Sequence, residues 1–329
     1  RTFHVPRSYK INISTINGAF KLYSVHYASF SDTARINKFE DRKYAFNPKI
    51  VFPIINYSFG PSFTSHIGSP SGFFFGGIEG IFSGEIAFTK NIQLNTSYSF
   101  PIYDNYNELD YDSNPTNLYQ VRTNVQEYLK YGKTGFNEFT INYYFNQGSQ
   151  NFFQASIGHF EKMYSGIHLE FLKRPFKSIF SYGLELSKVY QRDFTKSFTK
   201  FQDYKINIGH LNLYAYEPKN KMLFHLSVGK YLAGDKGVTF DASRYFNNGA
   251  RIGFFFSRTN ISAESFGEGS FDKGVYIKYP LHIFNKNRSS RSFSQYLYRP
   301  IQRDGAAKLE FSRRLFDLTL DAQLVEILS

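Results

Sequence analysis

The chain has 329 residues; its 38 Phe and 26 Tyr make 19% of it aromatic, Cys and Trp are absent, and mean hydropathy is −0.39. Without cysteine there are no disulfides, no thiol catalysis and no cysteine-held metals, and no stretch supplies the roughly 18 apolar residues that a membrane-spanning helix needs. The 39 basic and 27 acidic residues leave a charge of +12, which suits an anionic glycan or lipopolysaccharide phosphate as partner; Lys and Arg spread without a recognition motif set nucleic acid aside.

The opening Arg1-Thr2-Phe3 carries neither Met nor an apolar signal region, which leads us to expect a piece of a longer protein. Residues 48–60 and 72–103 predict three strands, the second beginning with Phe73-Phe74-Phe75-Gly76-Gly77. Alternation then stops. Residues 104–123 mix Asp104, Glu108, Asp110 and Asp112 with Asn, Tyr and Pro and predict a long rim loop. Its carboxylates are of the type that binds Ca²⁺, but they lack the spacing and fixed glycine of a calcium-binding hand, and a solvated loop is the plainer reading.

Period-two runs follow at 136–145, 151–157, 166–171, 178–187 and 204–216. In the last of these, Ile206 and Ile208 give way to Leu211, Leu213 and Ala215, a change of phase that predicts a bulge near Gly209-His210. In 221–230, Met222, Phe224, Leu226 and Val228 share one face; 238–243, 252–257 and 274–281 repeat the pattern. The turns between them are short and rich in Gly, Asn and Asp, so neighbouring strands are expected to be antiparallel. Residues 285–303, with Arg288, Arg291, Arg299 and Arg303, predict a basic loop, and 306–329 mixes helical and strand spacing.

Strands alternating apolar and polar residues, with abundant Tyr and Phe for two interfacial girdles, predict an all-β fold: a single antiparallel transmembrane β-barrel domain over 1–329, with roughly a dozen strands, in an outer membrane. Chemistry is poorly signalled. His225 and Ser227 share a strand face at a spacing that would let an imidazole take a hydroxyl proton, yet any polar lumen supplies such a pair, and no acid can be assigned to orient the ring. The histidines stand singly, without metal spacing. The run Phe266-Gly267-Glu268-Gly269-Ser270-Phe271 lacks the Lys-Ser/Thr ending of a phosphate loop. No cofactor is expected.

That same run lies within 259–274, Thr-Asn-Ile-Ser-Ala-Glu-Ser-Phe-Gly-Glu-Gly-Ser-Phe-Asp-Lys-Gly, which closely resembles the signature of the YjbH family of exopolysaccharide-biosynthesis proteins. Further blocks fall in the family's order: Gln191-Arg192-Asp193-Phe194, 229–237 with Lys230, Asp235 and Lys236, Ser243-Arg244-Tyr245-Phe246, and Arg303-Asp304-Gly305. The resemblance covers roughly 60–309 and is to the carboxy-terminal part of longer members. It implies an outer-membrane barrel that helps produce or export a surface polysaccharide, and with chemistry so poorly signalled we expect that role to be non-enzymatic. That role would be conduit or accessory to a separate channel, alongside other products of a polysaccharide-export operon, with a second barrel of the same protein as a further neighbour. A passive porin and an outer-membrane hydrolase are the alternatives. The matched charges, Lys230, Asp235, Lys236, Arg244, Arg251, Glu264, Glu268, Asp272, Lys273, Arg303 and Asp304, are candidates for glycan contact or for ion pairs that fix loops over the barrel mouth. One departure stands out: where the family doubles the glycine after Arg-Asp-Gly, this chain has Ala306.

Overall fold

The computed structural model describes residues 9–11, 25–28, 51–69, 72–109, 118–148, 150–175, 178–246, 250–262, 271–280, 293–298 and 304–320. Two short strands, β1 (Tyr9–Ile11) and β2 (Val25–Ala28), pair as a ribbon of their own. All other strands among the described residues form one antiparallel sheet of 13 in strict chain order. They are β3 (Ile54–Ser69), β4 (Gly72–Ala87), β5 (Ile92–Asp104), β6 (Gly135–Gln147), β7 (Asn151–His159) and β8 (Tyr164–Lys173). The meander continues through β9 (Phe180–Arg192), β10 (Phe201–Glu217), β11 (Met222–Lys230), β12 (Lys236–Tyr245), β13 (Arg251–Thr259), β14 (Asp272–Pro280) and β15 (Phe293–Tyr298). The expected strand count and antiparallel order are met. The outermost strands, β3 and β15, are not paired to each other among the described residues.

Polarity across this sheet is the reverse of a water-soluble protein's. On β10, Leu211 and Leu213 are 63% and 45% exposed, whereas Asn212 and Tyr214 between and beside them are 4% exposed. The same holds along the meander: Ile141, Tyr143, Leu169, Leu184, Phe224, Leu226, Phe254 and Ile277 face out, and Asn142, Gln154, His168, Glu170, Glu185, Ser227, Thr239 and Ser257 face in. Period two puts the two sets on opposite faces. Phenylalanines line up from strand to strand on the outside, as in Phe240 against Phe256 at 5.3 Å and Phe153 against Phe171 at 4.9 Å.

Two expectations are amended. Among 285–303, Phe293–Tyr298 is a strand paired with β14, which suits its three aromatic residues. On β10 the pairing runs unbroken through Gly209 and His210, and the irregularity lies between Phe201 and Lys205. The apolar phase changes because Ile206 and Ile208 point inward at one end of the strand, into an apolar cluster with Leu232, Ala307 and Leu309. Glycine is required elsewhere: Gly158 and Gly166 pair across β7 and β8 with φ of 135° and 154°, and a Cβ there would lie 2.1 and 2.0 Å from carbonyl oxygens of Phe139 and Lys188.

The expected rim loop over 104–123 contains a one-turn 3₁₀ helix, Tyr106–Glu108, and is followed by α1 (Val125–Tyr131). Among the described residues, no helix is long and apolar enough to cross a membrane.

Candidate functional site

The polar face of the sheet is not left to solvent. Residues 304–320, an irregular stretch containing the single turn α2 (Leu315–Leu318), run across it from one rim to the other. At the first rim, Ala307 and Leu309 pack with Val121, Tyr128, Phe160, Tyr164 and Leu232. At the opposite rim, Leu315 and Phe316 pack with Tyr144, Phe152, Leu172, Tyr214, Tyr216 and Leu223. One segment thus touches strands from β4 to β13, and a sheet can present one face to so short a segment only by curling around it.

Charge holds the crossing in place. Arg313 donates from both terminal nitrogens to Glu85 of β4 at 2.9 and 2.8 Å, and its neighbour Arg314 reaches Glu185 of β9 at 2.8 Å. Forked guanidinium–carboxylate pairing of the Arg313 type is strong and directional. Ser312 donates to Glu138 of β6 at 2.7 Å, and the Leu315 N–H, at the start of α2, meets the Glu170 carboxylate of β8 at 3.1 and 3.2 Å. Arg174 caps the far end through the Phe316 carbonyl at 2.8 Å and the Thr319 hydroxyl at 3.0 Å, with its guanidinium 4.4 Å from the Phe316 ring. Acids in the middle of strands are costly unless paired, so the wall glutamates and the segment's arginines compensate each other.

The residues singled out in the sequence separate into three groups. Asp304 and Asp235 are buried clamps. Oδ1 of Asp304 accepts backbone N–H bonds from Val121, Arg122 and Thr123 at 2.8, 2.7 and 3.0 Å, and its Oδ2 takes the Thr123 hydroxyl at 2.7 Å. Asp235, in the turn between β11 and β12, accepts the Ala306 N–H at 2.8 Å, and burial raises its pKa. These two carboxylates tie the interior segment to the rim. Arg251 also faces in, 3.5 Å from Asp241 and 3.6 Å from Asp317, over the rings of Tyr245 and Tyr276; Asp272 is buried on the inward face of β14.

Lys230, Lys236, Arg244 and Lys273 belong to the outward face and take no part in this interior. Glu264, Glu268 and Arg303 lie outside the described residues. The middle half of the signature block, 263–270, therefore lies outside the described residues, and the structure does not gather the matched charges into one pocket.

His225 and Ser227 both face inward, but His225 Nε2 bonds Asn212 at 2.9 Å and its ring stacks on Tyr214 at 4.3 Å. Of the acidic loop, Asp104 bonds Lys133 at 2.6 Å and Glu108 ends the 3₁₀ turn; Asp110 and Asp112 lie outside the described residues. No group of three or more His, Asp or Glu among the described residues could hold a metal ion. The sequence reading missed Glu85, Glu170, Glu185, Arg313 and Arg314. A lone Glu between apolar neighbours in each of several strands was the available signal.

Beside the first rim, a second ion pair locks the connection after β7: Arg122 makes two bonds of 2.9 Å to Glu161, and Arg192 reaches the carbonyl oxygens of Phe136 and Glu161. Burial raises the Glu161 carboxyl to about 7 despite the adjacent guanidinium.

Comparison with known proteins supplies the relationship. The chain is 32% identical over 272 residues to the uncharacterized lipoprotein YjbH of Escherichia coli (strain K12), covering 81% of this chain and 38% of that protein. It thus spans well under half the length of the curated relative. It also aligns with OmpTdeltaL8, a loop L8 deletion mutant of OmpT, an outer membrane protein of Vibrio cholerae, at 8% identity and a TM-score of 0.33, over 75% of this chain and 93% of that one. A likeness that slight carries no argument. The family profile YjbH, exopolysaccharide biosynthesis protein YbjH, matches residues 18–321. With nearly the whole chain inside that match, this protein belongs to the YjbH family of exopolysaccharide-biosynthesis proteins.

Proposed function

We propose that this part of the chain is an outer-membrane β-barrel serving exopolysaccharide biosynthesis and export, without catalysis, as an accessory to a separate export channel. The observation that carries the reading is the inverted sheet: apolar side chains outside, polar ones inside, and the interior crossed by the chain's own residues 304–320. An exposed apolar face spanning many adjacent strands is costly in water and favourable against lipid. Membership of the family supports the polysaccharide role, and the name lipoprotein carried by the E. coli relative fits an envelope site. The filled interior favours an accessory over an open conduit or a passive porin. Engagement of His225 with Asn212 rather than Ser227 supports a non-enzymatic role.

Two measurements test this. The chain reconstituted in planar bilayers is expected to show no steady conductance; a persistent ohmic pore would restore the porin. Deleting the gene in its host is expected to lower exopolysaccharide at the cell surface, and an unchanged amount would remove the biosynthetic role.

A further inference from the structure

At one end of β9 to β14, six basic side chains stand at outward-facing positions: Lys188, Lys205, Lys230, Lys236, Arg258 and Lys273. Antiparallel register brings them to the same rim. Lys205 pairs beside Tyr190, two residues from Lys188; Lys230 lies opposite Lys236; Arg258 lies opposite Val238, two residues from Lys236; and Lys273 lies opposite Phe256, two residues from Arg258. Five of the six share their strand's outward parity with an apolar residue two positions away, Lys188 with Leu186, Lys230 with Val228, Lys236 with Val238, Arg258 with Phe256 and Lys273 with Val275; Lys205 stands instead between Asp203 and Asn207, across from Tyr190. Two residues along a strand is about 7 Å. The charges therefore form a belt immediately beyond the apolar band, on one side of the sheet. All but Lys230 are exposed, and Lys230 is half-buried. At least two lie beside aromatic rings, Lys188 5.9 Å from the Tyr190 centroid and Lys273 4.7 Å from that of Phe271.

We propose that this belt is a binding surface for phosphate-bearing lipid headgroups in the leaflet that meets this rim. The inference rests on the membrane reading above. If acyl chains cover Leu186, Val228, Val238 and Phe256, their headgroups lie at the level of the belt, where each cation near an anionic surface contributes about 1 kcal/mol. Lys and Arg stems pack along apolar surface while their heads reach the phosphates. A soluble acidic polymer would instead pass the mouth of the sheet, and this row faces away from it. The opposite rim carries fewer outward cations on these strands, with Arg244 on β12 and Lys173 on the adjoining β8, so the belt also fixes which rim meets the more phosphorylated leaflet.

The test uses the whole chain in dodecylmaltoside micelles, titrated with bisphosphorylated lipid A and, separately, with lipid A stripped of both phosphates. Wild type is expected to bind the phosphorylated form roughly ten-fold or more tightly. The variant combining Lys188→Gln, Lys205→Gln, Arg258→Gln and Lys273→Gln is expected to lose that preference, while Lys173→Gln with Arg244→Gln at the other rim keeps it. Inorganic phosphate at matched concentration is expected not to compete. Equal binding of the two lipids, a preference that survives in the four-site variant, or displacement by alginate in place of lipid would overturn the proposal. Heat-modifiable migration of each variant on gels reports folding, and insertion of wild type into phosphatidylcholine vesicles reports the membrane reading. Failure of the belt and failure of the barrel are thereby told apart.

Discussion

Replacing Asp304 with Ala removes the anchor that ties the interior segment to residues 121–123. The carboxylate accepts three backbone N–H groups and one hydroxyl, and it is 3% exposed. Hydrogen bonds to a charged acceptor are worth roughly 1.5–3 kcal/mol each, and a buried donor left unsatisfied costs about 1–3 kcal/mol. Some donors will recover partners as the loop relaxes, so the expected loss for Asp304→Ala is about 3–5 kcal/mol rather than the full sum. Asp304→Asn keeps an oxygen where Oδ1 accepts all three N–H groups; it loses the charge assistance and puts an amide donor where Oδ2 accepted, so the Thr123 hydroxyl must turn to accept, for about 1–2 kcal/mol in all. Urea titration of the chain folded in lipid vesicles, read by tyrosine fluorescence and by heat-modifiable migration, measures both. Equal stability of Asp304→Ala and wild type would refute the clamp, and so would an Asn variant as damaged as the Ala one.

Ala306 has φ of 60°, a left-handed conformation that a Cβ disfavours, so Ala306→Gly is expected to raise stability by about 0.5–1 kcal/mol in the same titration. For the Arg314–Glu185 pair, either single Ala substitution is expected to cost about 3–5 kcal/mol and the double substitution less than their sum, which a double-mutant cycle checks. Leu213→Lys on the outward face of β10 is expected to cost about 2–4 kcal/mol for the chain in lipid, against a small effect for an ordinary solvent-exposed site. Lys196, buried in the turn between β9 and β10 and near Lys162, is pulled down to about 7 from an ordinary value of 10.5. The unfolded chain therefore holds the extra proton between those pH values, and its contribution to stability rises as pH climbs from about 7 toward 10.5. Lys196→Met is expected to flatten that rise.

Alternation made the meander legible, because an inside/outside distinction repeats every two residues and the turns carry Gly, Asn and Asp. The interior segment could not be read this way. Residues 304–320 follow neither strand nor helix spacing, since they serve an interior whose walls come from strands up to 228 positions earlier in the chain. Arg313-Arg314 looks like a solvated basic pair until Glu85 and Glu185 are brought to it. Asp304 was marked by its family block, and Ala306 by its departure from that block. The left-handed backbone at Ala306 gives that glycine a physical reason. The outward cations were visible only as isolated charges; register aligned them into a belt. The phase change on β10 misled because inward apolar residues at the rim, Ile206 and Ile208, were read as a shift of the backbone.

The central claim is that the apolar face of the sheet meets lipid, and neighbouring positions on β10 test it most directly. The chain contains no cysteine, so Leu213→Cys and Asn212→Cys can each be labelled with a fluorophore and folded into vesicles of lipids with brominated acyl chains. The account predicts strong quenching at 213 and little at 212. Equal quenching at both positions, or none at 213, would contradict it.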